Sequence, residues 1–211
     1  MLPGLDLAFG HARLTGPRAA VIDTAEGRRE VGFDQAILAT GSVASRPRIE
    51  GADLSGVLDS TGLIEIGSVP ESLVLIGAGP IGVEMAQIFS RLGSRVTLLE
   101  AMPRILGPVD GVLADLIADR LRREDISLHT GVRIESITDE GGLYAVSHLR
   151  DGRPETVRAQ VAAIVAGRRP NIEGLGLETT AVRHDAHGVT VDETLQTDEP
   201  GIYATGDLGR V

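Results

Sequence analysis

The chain of 211 residues carries 20 Lys and Arg against 30 Asp and Glu, a formal net charge of −10, which opposes non-specific attraction to nucleic acid or to an anionic membrane surface. It contains no cysteine, so disulfides, thiolate metal sites and thiol catalysis are excluded from these residues. Hydrophobic residues make up 42% but aromatics only 2%, so a core must be assembled from Leu, Ile, Val and Ala, as suits buried parallel strands under helices.

Residues 1 to 68 hold two short strand-like runs, RAAVIDT and QAILATG, then turn clusters and the Pro-containing stretch SRPRIEGADL. No helix long enough to cover a sheet is predicted there, and the segment does not read as a complete domain. The N-terminus MLPGLDLAFGHAR lacks a basic region followed by a long apolar one. No run approaches the roughly 18 to 20 apolar residues of a membrane span, so the expectation is a soluble, cytoplasmic protein.

SLVLIGAG at 72 to 79 is an apolar run entering glycines, too short for a helix and suited to a buried strand. In PIGVEMAQIFSRLG, which follows, Ile81, Met85, Ile88, Phe89 and Leu92 form one helical stripe, with Pro80 in the first turn and Gly93 at the end. RVTLLE at 95 to 100 predicts a second strand and ISLHT at 126 to 130 a third. Between them PVDGVLADLIADRLRRE predicts an amphipathic helix, with Val109, Val112, Leu113, Leu116, Ile117 and Leu121 apolar and Asp110, Asp115 and Asp119 on its outer face. Strand, helix, strand, helix, strand in this order demands right-handed crossovers and a parallel sheet.

From residue 131 the pattern changes. GVRIESIT, LYAVSHLR and TVRAQVAAIVAG are separated by turn signals at 139 to 142 and at Asp151-Gly152, which predicts a three-stranded antiparallel meander. The fold class is therefore α/β, a Rossmann-like parallel sheet carrying that meander.

Gly77, Ala78, Gly79, Pro80, Ile81 and Gly82 spell G-x-G-x-x-G between the first strand and its helix. In that setting the first glycine permits a tight turn, the second lets a pyrophosphate approach the backbone, and the third allows strand and helix to pack closely. Glu100 closes the next strand, where a carboxylate accepts from an adenosine ribose and repels a 2'-phosphate, favouring NAD(H). The order of strand, glycines, helix, strand and acid disfavours a mere glycine-rich turn with an incidental surface glutamate. Glu84 either complements the helix dipole or points over the nicotinamide, and periodicity does not separate the two.

Other side chains suggest less. His184-Asp185-Ala186-His187-Gly188 reads as a solvated polar turn rather than a metal site, and His11, His129 and His148 read as isolated strand or loop histidines. No metal site and no catalytic residue is assigned, and there is no G-x-S-x-G elbow. The Ala-Thr-Gly turn occurs twice, at 39 to 41 and at 204 to 206.

Taken in order, ILATGS, LIGAGPIGVEMA, LLEAMPRIL, AGRRPNIEGLGLE and TDEPGIYATGDLG resemble the FAD- and NAD-linked pyridine nucleotide-disulfide oxidoreductases, most closely the dihydrolipoamide dehydrogenase type. The resemblance implies an NAD domain inserted into an FAD domain: partial FAD-domain β segments over 1–68, an NAD(H)-binding domain over 69–192 and a return segment over 193–211. It implies that Gly77 to Gly82 and Glu84 serve the pyrophosphate and nicotinamide side, Glu100 the ribose, Val132 the adenine end, and that Gly167 lies near NAD. Ala39, Thr40, Gly41, Gly206 and Asp207 would lie beside FAD, which is expected to bind only in a complete parent enzyme. Arg168 and Arg169 fit loop-pinning ion pairs as well as site roles and are left outside the site.

A complete member of that family has its own FAD glycine fingerprint, a redox cysteine pair and a dimerisation domain with a His and Glu acid-base pair. This sequence has none of them, so it reads as a truncated product. The expected function is to bind NAD(H) and position nicotinamide for hydride exchange with FAD, without disulfide exchange. Its partners would be NAD(H) and the missing FAD and dimerisation portions, with no nucleic acid or membrane. The alternatives are a stand-alone NADH-binding sensor or assembly module, and a fragment of a related NADH oxidase or mercuric reductase.

Overall fold

The computed structural model describes residues 4–210. Its chain forms two compact units, one drawn from the two ends, up to Val43 and from Arg168, and one spanning Ala44–Gly167. The first unit begins with an antiparallel sheet of β1 (Gly10–Gly16), β2 (Ala19–Thr24) and β3 (Gly27–Gly32), followed by β4 (Ala36–Leu38) and β5 (Ser42–Ala44).

The middle unit contains β6 (Val57–Leu58), α1 (Ser60–Ile64), β7 (Ser72–Ile76), α2 (Pro80–Arg91), β8 (Arg95–Glu100), α3 (Gly111–Arg123) and β9 (Ser127–Thr130). The meander β10 (Arg133–Asp139), β11 (Tyr144–Arg150) and β12 (Arg153–Ala159) follows, and then β13 (Val161–Ile164). A five-stranded sheet in the order β6-β13-β7-β8-β9 is parallel throughout. Side chains alternate across it. Leu73, Leu75 and Leu98 pack with Val83, Phe89 and Leu121 on the helical side, while Val74, Ile76 and Leu99 pack with Val132, Ile137 and Val146 on the meander side. Cover on both faces is why every residue of β7 is buried.

Three details depart from the sequence expectation. TVRAQVAAIVAG is not one strand: Gln160 breaks it, its amide donating to Ser72 Oγ (3.1 Å) and its side-chain oxygen accepting from the Glu71 amide (2.8 Å). Residues before that corner stay in the meander, and those after it enter the parallel sheet beside β7. The apolar stripes are also rotated. On α3, Val112, Leu113 and Leu116 are 70%, 54% and 62% exposed, whereas Ala114, Ala118 and Leu121 are buried. On α2, Ile88 and Leu92 are exposed, and Gly82, Val83 and Ala86 are buried beside Met85 and Phe89. Small residues face the sheet so that the helix backbone can approach it.

Glu124 caps the C-terminus of α3 and ties it to α2, accepting from Arg91 Nη2 (2.8 Å) and Arg120 Nε (2.6 Å). The Arg91 guanidinium above all, with Arg120, holds its carboxyl down to about 2 from an ordinary 4.5. A depressed carboxyl pKa contributes stability that is complete above the unfolded value and is lost as pH falls through the folded one. In thermal melts, Glu124→Gln should therefore be less stable than wild type above about pH 5, and the difference should close between about pH 4.5 and pH 2. A pH-independent difference would remove the ion pair as its cause.

The chain returns to the first unit through β14 (Arg168–Pro170), β15 (His184–Asp185), β16 (Gly188–Thr190), β17 (Ile202–Ala204) and β18 (Gly209–Arg210). Here β17 lies parallel to β4, with Ala204 opposite Leu38, and Leu14, Leu175, Leu177, Val189, Ile202 and Leu208 form a core. The units thus divide at 43/44 and 167/168, not at 68/69 and 192/193. The reason is that β6 is an edge strand of the parallel sheet and α1 places Leu63 in its core, while Leu175 to Val191 complete the core of the other unit. Elements of two to five residues carry no periodicity that reveals them. Among the described residues no helix is long and apolar enough to cross a membrane.

Candidate functional site

The principal cleft of the middle unit, about 1010 Å³, opens where β7, β8 and β13 end, the carboxyl edge at which open α/β sheets take ligands. Gly77 turns the chain out of β7 with φ +110°, and its amide donates to Leu99 O (2.8 Å). A Cβ there would lie 2.6 Å from Ala166 Cα. A Cβ on Gly82 would land on the Gly77 carbonyl oxygen and 3.3 Å from Val165 Cγ2. On Gly79 it would meet nothing within 4 Å, because that backbone faces open cleft. Each glycine of the fingerprint therefore has a separate reason.

Gly79 is the N-cap of α2 and offers no side-chain cap, with Pro80 next. The first-turn amides of Ile81 and Gly82 have no intrahelical acceptor and leave the positive end of the helix available to an anion. Across the cleft, Glu100 Oε2 accepts from the Ala78 amide (2.6 Å) and Oε1 from the Met102 amide (2.8 Å). The carboxylate is thus oriented in advance, and each oxygen keeps acceptor capacity for a diol. The Glu100 carbonyl also accepts from the Val132 amide (3.1 Å), which fixes the far wall.

Of the residues singled out from the sequence, Gly77 to Ile81, Glu100, Val132 and Gly167 line this cleft. Gly82 packs beneath it, and Glu84 is exposed on α2 outside the lining. The sequence reading missed Arg104 and Arg133, the cations of the lining, and Pro47 and Ile49. Arg104 sits in LLEAMPRIL, where only the acid was given a role, Arg133 lies on a strand of the meander, and the loop bearing Pro47 reaches the cleft only through folding.

Ala39, Thr40, Gly41, Gly206 and Asp207 belong to the other unit. Parallel pairing of β4 and β17 sets the two Ala-Thr-Gly turns side by side, with the Thr205 amide donating to Leu38 O (3.0 Å). Thr40 Oγ1 donates to Asn171 O (2.8 Å), and the Asn171 amide donates to Gly41 O (2.9 Å). Ser42 Oγ donates to Asp207 Oδ2 (2.6 Å) and accepts from Arg168 Nε (2.7 Å). Arg169 instead pairs with Glu173 (2.9 Å) and pins its own loop.

His11 and the His184 to His187 turn are exposed. His129 and His148 are not isolated. Their ring centroids are 5.7 Å apart, and Glu155 joins them. Burial foremost, then Arg150 and His148, push the His129 imidazole towards its neutral form, with Glu155 opposing.

The sequence profile described as pyridine nucleotide-disulphide oxidoreductase matches residues 4–210. The chain is 37% identical to a mercuric reductase of Streptomyces lividans over 97% of its own length and 44% of that protein's. It is 34% identical to a dihydrolipoyl dehydrogenase of Thermus scotoductus over 98% of its length and 44% of the relative's. Among solved structures, the Cu(II) complex of the HOCl-induced flavoprotein disulfide reductase RclA from Escherichia coli superposes with a TM-score of 0.90 at 30% identity, covering 98% of this chain and 46% of that one. The chain thus spans rather less than half the length of the proteins it matches.

Proposed function

The chain belongs to the pyridine nucleotide-disulphide oxidoreductase family, and on that premise we propose that its middle unit binds NAD(H) and positions the nicotinamide for hydride exchange with FAD in a dihydrolipoamide dehydrogenase-like enzyme. The carrying observation is the pairing of an open Gly79 cradle at the start of α2 with a Glu100 carboxylate already oriented by two backbone amides. The first-turn amides of α2 would hold the pyrophosphate, and Glu100 would accept from the adenosine ribose. Val132 closes the adenine end. When bound, the nicotinamide supplies or accepts the hydride and the flavin is its redox partner.

The protein residues hold and orient; none of them moves a proton in this scheme. Disulfide exchange requires a thiolate, which this cysteine-free sequence does not supply. A mercuric reductase-type whole protein is the second reading, supported by the 37% identity above, and the dinucleotide role is the same under it. Titration of the purified 211-residue chain, followed by NADH fluorescence, should saturate at one equivalent and favour NADH over NADPH. No saturable binding, or a preference for NADPH, would overturn the proposal.

A further inference from the structure

We propose that His129, His148 and Glu155 form a binding site for a divalent transition-metal cation of the zinc type. His148 and Glu155 are directly opposed across β11 and β12, and His129 is on β9, the edge strand of the parallel sheet. Glu155 Oε2 lies 3.4 Å from His148 Nε2 and 3.7 Å from His129 Nδ1, and the three ligand atoms all fall within 4.8 Å of one another. Bonds of the length zinc makes to nitrogen and oxygen, at tetrahedral angles, require ligand separations of about 3.3 Å. Only small side-chain movements separate the observed triad from that geometry.

The second observation is independent of spacing. His148 is 1% exposed, yet neither of its ring nitrogens has a hydrogen-bond partner, and the buried Nδ1 of His129 has none either. Orphaned polar atoms in an apolar setting are costly and rare in folded proteins. A cation drawing on Nε2 of His148 and Nδ1 of His129 would satisfy two of the three. Ser127 Oγ sits 3.0 Å from His129 Nε2. With Nε2–H donated to that hydroxyl, the lone pair is on Nδ1, facing the other ligands, which is the usual outer support of a metal-bound imidazole.

Two imidazoles and one carboxylate suit zinc and its borderline neighbours better than calcium or magnesium, which take oxygen. Glu155 is 41% exposed at its side chain, so the fourth position opens towards water. Arg150, the cation that acts on His129, is exposed, and solvent screens its repulsion. Bound metal would clamp the edge of the sheet to the meander.

The test uses the whole chain, stripped with a chelator and titrated with Zn(II) by calorimetry, with Co(II) as a visible-absorption probe. One Zn(II) should bind with a rise in Tm, and Co(II) should give the intense bands of a four-coordinate site. Glu155→Ala should weaken Zn(II) by at least about tenfold. His148→Leu should abolish binding while its metal-free Tm stays at or above that of wild type, because an apolar side chain replaces an orphaned ring. His184→Ser with His187→Ser should bind as wild type does. Absence of saturable Zn(II) binding, wild-type affinity in Glu155→Ala and His148→Leu, or loss of binding in the His184/His187 variant would each overturn the site. None of these readings depends on NADH.

Discussion

Gly82→Ala should destabilise the middle unit by at least about 3 kcal/mol, read as a fall in the urea midpoint, and should abolish NADH binding in the same sample. The added methyl lands on the carbonyl oxygen of Gly77 and crowds Val165 Cγ2 at 3.3 Å. The first obstacle is backbone held at the end of β7, where the Gly77 amide is bonded to Leu99 O, so no flexible side chain can retreat. Relief requires α2 to move away from the sheet, which opens the packing of Val83 and Ala86 and carries off the first-turn amides. Gly79→Ala separates the two consequences. Its methyl meets nothing within 4 Å, so stability should fall by no more than about 1 kcal/mol, the usual cost of alanine at an N-cap, while the filled cradle weakens NADH. A Gly82→Ala protein within about 1 kcal/mol of wild type would show that close packing is not why that residue is glycine.

Glu100→Lys should weaken NADH by roughly 10- to 100-fold, the loss of about 1.4 to 2.8 kcal/mol expected when a charged acceptor leaves a diol. The carboxylate also accepts from the Ala78 and Met102 amides, so the substitution removes the brace between the glycine turn and the end of β8. An ammonium group there would attract a 2'-phosphate, and Arg104 and Arg133 already line the cleft. The preference for NADH over NADPH should therefore shrink or reverse. Fluorescence titrations of both cofactors against both proteins measure it, and an unchanged ratio would dismiss Glu100 as the ribose acceptor.

What the sequence by itself determined is the strand, glycine turn, helix, strand and acid over residues 72–100, because each requirement there is met within one continuous stretch. A positive φ, a close approach and a missing N–H are properties of single residues, so they are legible one residue at a time. The family membership followed from the same local motifs in order. Helix faces were less legible: α3 turns Leu113 and Leu116 outward and buries Ala114 and Ala118 beside Leu121, since the distance to the sheet, not side-chain hydrophobicity alone, selects which residues fit beneath.

Tertiary structure alone decided the rest. It broke the strand expected over TVRAQVAAIVAG at Gln160, placed the two Ala-Thr-Gly turns at the ends of adjacent parallel strands, and brought His129 against His148 and Glu155. Each of these joins residues distant along the chain or on different strands. Their proximity follows from strand order and register, which are properties of the assembled sheet and leave no mark in the residues on either side of any one histidine.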